Sequence, residues 1–340
     1  MDTNGTDYPN VSDAAYCSHP VFYFAKPEII VIAIIGIPQS ILTAVCNVFV
    51  ILTFIRRKEL QTPQHFYFIN LAFCDLLLGS FSMPTRLTLD LLGCWPAPFA
   101  FCRVCKIIDW ICSAETATTV MLIARHRYKM VTHGAQFAAE ESGRYVIQKI
   151  VLTWVVNIGF YGTIQFVDLF TGQRLSPMGQ CMTEFFQIQW LGDLAILTEN
   201  ILPSVVVVII YVLVYMTLRQ RRKRIVMALE ESHQVKDEKE KSGTNRQSHR
   251  RTTKQGTTMM LLCAVFLAVN FPCALISLVM LVYGNTFSLL RWYTVSLYLF
   301  YGNSLINPIV YTLKIPTMRM IVVGCFRTNI WGSMRSWLRL

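Results

Sequence analysis

The sequence predicts an all-α membrane protein, a seven-transmembrane helix bundle with a short C-terminal amphipathic helix. Three observations carry this. Of 340 residues, 54% are hydrophobic and 15% are charged, whereas soluble domains carry roughly 25% charged residues. The apolar residues fall in runs long enough to cross a bilayer, for which about 20 residues suffice. The basic residues behind the net charge of +11 sit in short clusters between those runs, which argues for inter-helix loops and against nucleic acid.

Residues 1–27 read as an extracellular N-terminal tail. They show no apolar core of a cleavable signal peptide. Two glycosylation sequons, Asn4-Gly5-Thr6 and Asn10-Val11-Ser12, favour an extracellular end modified at Asn4 and Asn10. Seven spans follow at about 28–55, 66–92, 102–131, 146–168, 192–218, 257–283 and 290–313, forming a membrane domain over 28–313. Lys and Arg collect after spans one, three, five and seven, as in Arg56, Arg57 and Lys58, then RQRRKR at 219–224 and HRR at 249–251. That asymmetry marks the cytoplasmic side, leaving the N-terminus outside a multi-pass protein of the plasma membrane. The charged stretch 219–256 reads as a cytoplasmic loop between helices five and six, made of helix extensions joined by a mobile loop. Residues 314–340 are a cytoplasmic helix and tail. Within them, IPTMRMIVVGCFR at 315–327 spaces its apolar residues for a helix lying on the membrane, with Arg319 and Arg327 opposite. Cys325 there is either a palmitoylation site or a buried thiol.

Polar residues inside a bilayer are expensive and tend to face a cavity or partner. Each span holds a few: Asn47, Asp75, Asp109, Thr116, Trp154, Glu199, Tyr211, Asn270, Asn303, Asn307 and Tyr311. Pro203, Pro272 and Pro308 interrupt helices five, six and seven, and a proline frees a carbonyl and creates a bend. Bendable helices around a polar interior describe a bundle with two states.

These residues together resemble the rhodopsin-like (class A) G protein-coupled receptors. The resemblance covers almost all of residues 28–327. It rests on Asn47 in CNVFV, Asp75 in NLAFCD, Trp95 with Cys102, Arg127-Tyr128, Trp154, Pro203 with Tyr211, Phe266 with Pro272, and NPIVY at 307–311. It implies a receptor that binds an extracellular ligand and activates a heterotrimeric G protein. The implied coupling and switch residues are Arg127, Tyr128, Tyr211, Phe266, Pro272, Asn307, Pro308 and Tyr311. A disulfide between Cys102 and Cys181 is implied too, and a second bridge between Cys17 and Cys94 stays open. Asp75, Thr116, Asn303 and Asn307 match positions that hold an allosteric sodium ion in many members, a hydrated hydrogen-bond network being the alternative. No other cofactor is expected.

Helix geometry orders the candidate ligand site. Asp109 lies seven residues inside Cys102, about 10 Å deep, and eighteen residues from Arg127, so both share a face of helix three. By resemblance to amine-binding members, Asp109 and Tyr301 would hold an ammonium group through an ion pair. Arg86 and Lys106 lie where either could pair with Asp109 instead, which would make the acid structural. Glu199 replaces small hydroxyls. Cys273, with Ala274, replaces aromatics that would cage a cation. An amine and a peptide both remain as ligand classes, with a lipid or another metabolite behind them.

Two positions depart from the family pattern. Asn270 stands where a tryptophan usually lies two residues before the helix-six proline. In MLIARHRYKM, residues 121–130, His126 replaces the acid that usually precedes the arginine. A neutral imidazole makes no ion pair with Arg127, and a protonated one repels it, so a weakened lock and raised basal signalling are expected. The alternative reads Arg125, His126 and Lys129 as interfacial anchors, with the lock supplied elsewhere.

An opsin would need a lysine within 290–313, and there is none. An intramembrane enzyme would need paired acids or a histidine cluster inside the spans, so no enzyme is expected. A transporter or channel would show repeats, and a surface receptor with atypical or no G protein coupling remains the nearer alternative.

Overall fold

The computed structural model describes residues 22, 24–134, 136–137, 141–170, 189–232, 243–284 and 286–327. Its helices are α1 (Lys26–Arg56), α2 (Pro63–Leu92), α3 (Phe99–His133), α4 (Gly143–Phe170), α5 (189–232), α6 (Gly243–Tyr283), α7 (Phe287–Lys314) and α8 (Pro316–Arg327). No strand occurs among the described residues. Within the stretch 219–256, residues 219–232 extend α5 and residues 243–256 extend α6. The intervening 233–242, the tail with Asn4, Asn10 and Cys17, the loop with Cys181, and residues 328–340 lie outside the described residues.

Helix ends follow local chemistry. Pro63 opens α2 at the position where its missing N–H costs nothing. Gly93 closes α2 in the left-handed region at φ 67°, a conformation that glycine adopts without penalty. The Thr286 side chain accepts from Leu289 N at the start of α7.

Six helices, α1 to α6, are long and apolar enough to cross a membrane. The seventh reaches span length, 28 residues or about 42 Å, without matching apolarity. Burial explains this difference. Thr294, Ser296, Asn303, Ser304 and Asn307 are all buried, so α7 turns its polar face inward. By contrast α1 and α4 are largely exposed along their apolar faces, including Ile34, Ile35, Leu152 and Val155, as lipid-facing helices must be.

Two helices contain a π turn, Leu78–Ser82 in α2 and Leu197–Ile201 in α5, just before Pro84 and Pro203. In the first, Gly79 lets α1 approach closely. A Cβ there would lie 2.9 Å from Thr43 Cγ2 and 3.0 Å from the backbone of Ala44. Ser40 Oγ seals the contact by donating to the Gly79 carbonyl at 2.8 Å. Asn47 Nδ2 then ties α1 to α7 through the Ser304 carbonyl at 3.0 Å.

The half of the bundle near Arg127 is packed with apolar side chains. Val120, Ile123 and Ala124 of α3 pack with Leu262, Cys263 and Phe266 of α6, Val207 of α5 and Tyr311 of α7. Tyr311 stacks on Phe68 at 5.0 Å between ring centres and meets Phe54 edge-on. Any opening between α3 and α6 has to break this layer.

Candidate functional site

The candidate ligand residues converge between α2, α3 and α7. Tyr301 Oη donates to Asp109 Oδ1 at 3.1 Å across 192 residues of chain. A cavity of about 10 Å³ lies beside them, lined by Ser82, Thr85, Arg86, Lys106, Asp109 and Tyr301, among others. That is barely room for one water, so a ligand enters only by displacing side chains. Glu199 sits in the π turn of α5, within electrostatic reach of Asp109 and beside Ser113. Cys273 is buried in a cluster with Met280 and Tyr293 between α6 and α7, away from that cavity.

Arg86 has a partner that sequence reading missed. Its Nε donates to Asp90 Oδ2 at 3.0 Å and its Nη2 to Asp90 Oδ1 at 3.2 Å, with a further bond to Thr294 of α7. Tyr298 Oη reaches the same carboxylate at 2.8 Å. Both acid and base are buried. The i,i+4 spacing of Arg86 and Asp90 on one helix face was the signal available.

A second missed acid lies in the bundle. Glu115 of α3 is fully buried and accepts from Asn70 Nδ2 at 2.9 Å, Thr153 Oγ1 at 2.8 Å and Asn157 Nδ2 at 2.7 Å. Trp154 Nε1 donates to Asn70 Oδ1 at 2.8 Å, so one polar knot joins α2, α3 and α4. An acid amid SAETATTV, inside an apolar run, was the readable clue.

Asp75 Oδ2 accepts from Asn307 Nδ2 at 2.8 Å. Asp75 Oδ1, Thr116 Oγ1 and Asn303 Oδ1 are buried oxygens without a hydrogen-bond partner among the described residues. Orphaned oxygens on three helices suit a hard cation. Cys94 and Cys102 are both disulfide-bonded. Asn270 Nδ2 donates to Ser204 Oγ at 2.8 Å, fastening α6 to α5 beside Pro203.

At the opposite end, Tyr211 Oη donates to the Met260 carbonyl at 3.3 Å and lies within electrostatic reach of Arg127. Arg127 Nε is buried without a hydrogen-bond partner among the described residues. Its neighbour His126 is buried and pairs through Nδ1 with Glu141 Oε2. Glu141 Oε1 takes Lys149 Nζ of α4 at 2.8 Å. His126 of the ARHRYK cluster therefore meets an acid fifteen positions on in the chain. Burial works to raise the Glu141 carboxyl, but the bonds from His126 and Lys149 outweigh it and hold it below the usual carboxylate value.

Comparison with known proteins adds an independent finding. Residues 46–311 match the model of the 7 transmembrane receptor (rhodopsin family). The chain is 26% identical over 198 residues to the muscarinic acetylcholine receptor M4 of Xenopus laevis, covering 58% of this chain and 41% of the relative. It is 24% identical over 217 residues to the M3 receptor of Gallus gallus, covering 64% and 34%. It is 27% identical over 198 residues to the M1 receptor of Sus scrofa, covering 57% and 43%. These alignments thus span less than half of each relative's own length.

Proposed function

The chain belongs to the rhodopsin family of seven-transmembrane receptors, a multi-pass membrane protein, and from that premise we propose that it binds a small extracellular amine and activates a heterotrimeric G protein. The observation that carries the ligand class is the Tyr301–Asp109 hydrogen bond, a buried acid oriented by a hydroxyl beside a cavity. An ammonium entering there would donate a charge-assisted hydrogen bond to a buried carboxylate. Glu199, within reach of Asp109 from α5, offers a second acidic contact. The relatives named as acetylcholine receptors support a small amine over a peptide.

The pocket end faces outside and the Arg127 end faces the cytoplasm, a reading that the placement of Lys and Arg supports. Asn4 and Asn10 are then glycosylated, and Cys102 bonds Cys181 at the plasma membrane surface. The layer of Phe266, Tyr311 and Val120 holds α6 closed. Ligand-driven bending at Pro272 and Pro308 releases it, and Arg127, Tyr128, Tyr211 and Tyr311 rearrange for the G protein. Asp75, Thr116, Asn303 and Asn307 would hold a sodium ion, which supplies a positive charge to the interior of the closed state. No enzymatic chemistry is assigned.

The test is nucleotide exchange on purified G proteins by receptor reconstituted with acetylcholine and a panel of primary and quaternary amines. A response lost in Asp109→Asn and in Arg127→Ala supports both halves. An agonist whose potency Asp109→Asn leaves unchanged overturns the amine assignment, and a response surviving Arg127→Ala overturns the coupling role.

A further inference from the structure

Beside Arg127, but on another face of α3, the structure has a cavity of about 280 Å³ between the ends of α3 and α4 and the segment joining them. Arg125, Lys129 and His133 line it from α3, and Tyr145 and Lys149 line it from α4. The positions 125, 129 and 133 repeat every four residues, as do 145 and 149, so each helix presents one stripe to the same space. Glu141 is the acid in the lining, and both its oxygens are committed, Oε1 to Lys149 and Oε2 to His126. Neither Arg125 nor Lys129 forms an ion pair among the described residues. Lys149 Nζ also lies 4.0 Å from the Tyr145 ring centre, which holds the Lys149 stem against the cavity wall.

We propose that this cavity is a binding site for a phosphorylated anion. Two cations without acid partners among the described residues face it, and Glu141 is already paired with Lys149, so the described lining carries net positive charge at the boundary of the membrane. An anion of several phosphates matches it: Arg125 offers a planar fork of donors, Lys129 a mobile point charge, and Tyr145 a hydroxyl. The phosphate arrives either on an inositol lipid of the facing leaflet or as a soluble inositol phosphate. Plain interfacial anchoring predicts no such pocket and no selectivity between these cations and others at the same membrane surface.

The test uses full-length receptor in nanodiscs, which expose both membrane faces and so do not depend on the orientation or on G protein coupling. One arm titrates soluble inositol 1,4,5-trisphosphate into nanodiscs of phosphatidylcholine alone, and the other dopes the nanodiscs with phosphatidylinositol 4,5-bisphosphate and counts retained lipid by native mass spectrometry. The expected result is binding in at least one arm that weakens about 30-fold in Arg125→Gln/Lys129→Gln, at roughly a factor of five per basic residue. The matched control Arg57→Gln/Lys58→Gln, which removes two exposed cations elsewhere, stays within threefold of wild type. Binding confined to the lipid arm assigns the headgroup as the source, and binding in the soluble arm assigns the free anion. Absence of binding in both arms overturns the site, and so does an equal loss in the control pair, which would reduce it to diffuse surface charge. A thermal midpoint for each variant within about two degrees of wild type establishes that the fold is retained; if the double Gln variant melts lower, Arg125→Lys/Lys129→Arg serves in its place and must keep binding.

Discussion

Removing Glu141 tests how the segment after α3 is held to the bundle. The Glu141 side chain is 3% exposed and its partners His126 and Lys149 are 6% and 15% exposed. Breaking a buried pair by deleting one member costs about 3–5 kcal/mol. Lys149 can turn toward water, which places Glu141→Ala near the lower end, about 3 kcal/mol, or roughly a 150-fold shift in a local opening equilibrium. Glu141→Gln keeps one acceptor and should lose about half of that free energy. Hydrogen exchange is the suitable assay because it reads local opening separately from global unfolding. Peptides covering 141–149 should exchange on the order of 100-fold faster in the alanine variant, while peptides of α1 stay unchanged. The pH dependence has a defined sign. The carboxyl lies below its ordinary value of 4.5 in the folded protein, so its contribution is complete above that value and fades as pH falls through the depressed one. Wild-type protection should therefore converge on that of the alanine variant in acid. Exchange within twofold of wild type at neutral pH would refute the idea that this triad holds the segment.

Other perturbations reach different parts of the molecule. Glu115→Leu removes the acceptor shared by Asn70, Thr153 and Asn157 and should lower stability by about 3 kcal/mol, with Glu115→Gln losing less; a leucine variant that melts with wild type would show the knot to be dispensable. Arg86→Gln and Asp90→Asn, combined in a double-mutant cycle read by thermal unfolding, should couple by about 1–3 kcal/mol, and strictly additive losses would contradict the buried pair. Replacing sodium with choline should lower the thermal midpoint of wild type but leave Asp75→Asn unmoved. At a sodium concentration ten times the dissociation constant, the effect is about 1.4 kcal/mol; equal responses of the two proteins would argue for a hydrogen-bond network without the ion.

His126 shows where local reading stops. Its place beside Arg127 is visible in the sequence, and so is the missing acid. That Glu141 meets it depends on how the start of α4 is seated against α3, which no local pattern encodes. Arg127 Nε has no hydrogen-bond partner among the described residues, whereas His126 is held against Glu141. Asp90 and Glu115 differ in kind. Both stood in plain view as acids inside or beside a span, one of them four residues from an arginine, and the physics of burying charge marks each as paired or hydrogen-bonded.

By itself the sequence determined the bundle and the helix carrying each polar residue. Apolar length and the cost of unpaired backbone in hydrocarbon leave few alternatives to helices. It also suggested that Asp109 would meet Tyr301 and that Asp75 would meet Asn307, contacts the fold makes across 192 and 232 residues. The tertiary structure alone decided which partner each buried charge takes. Arg86 meets Asp90 and Thr294, and Glu141 meets His126 and Lys149. The reason is that an ion pair is made or lost over an ångström or two, a distance set by helix rotation, by the π turns before Pro84 and Pro203, and by the close approach at Gly79. None of these can be read from spacing along the chain.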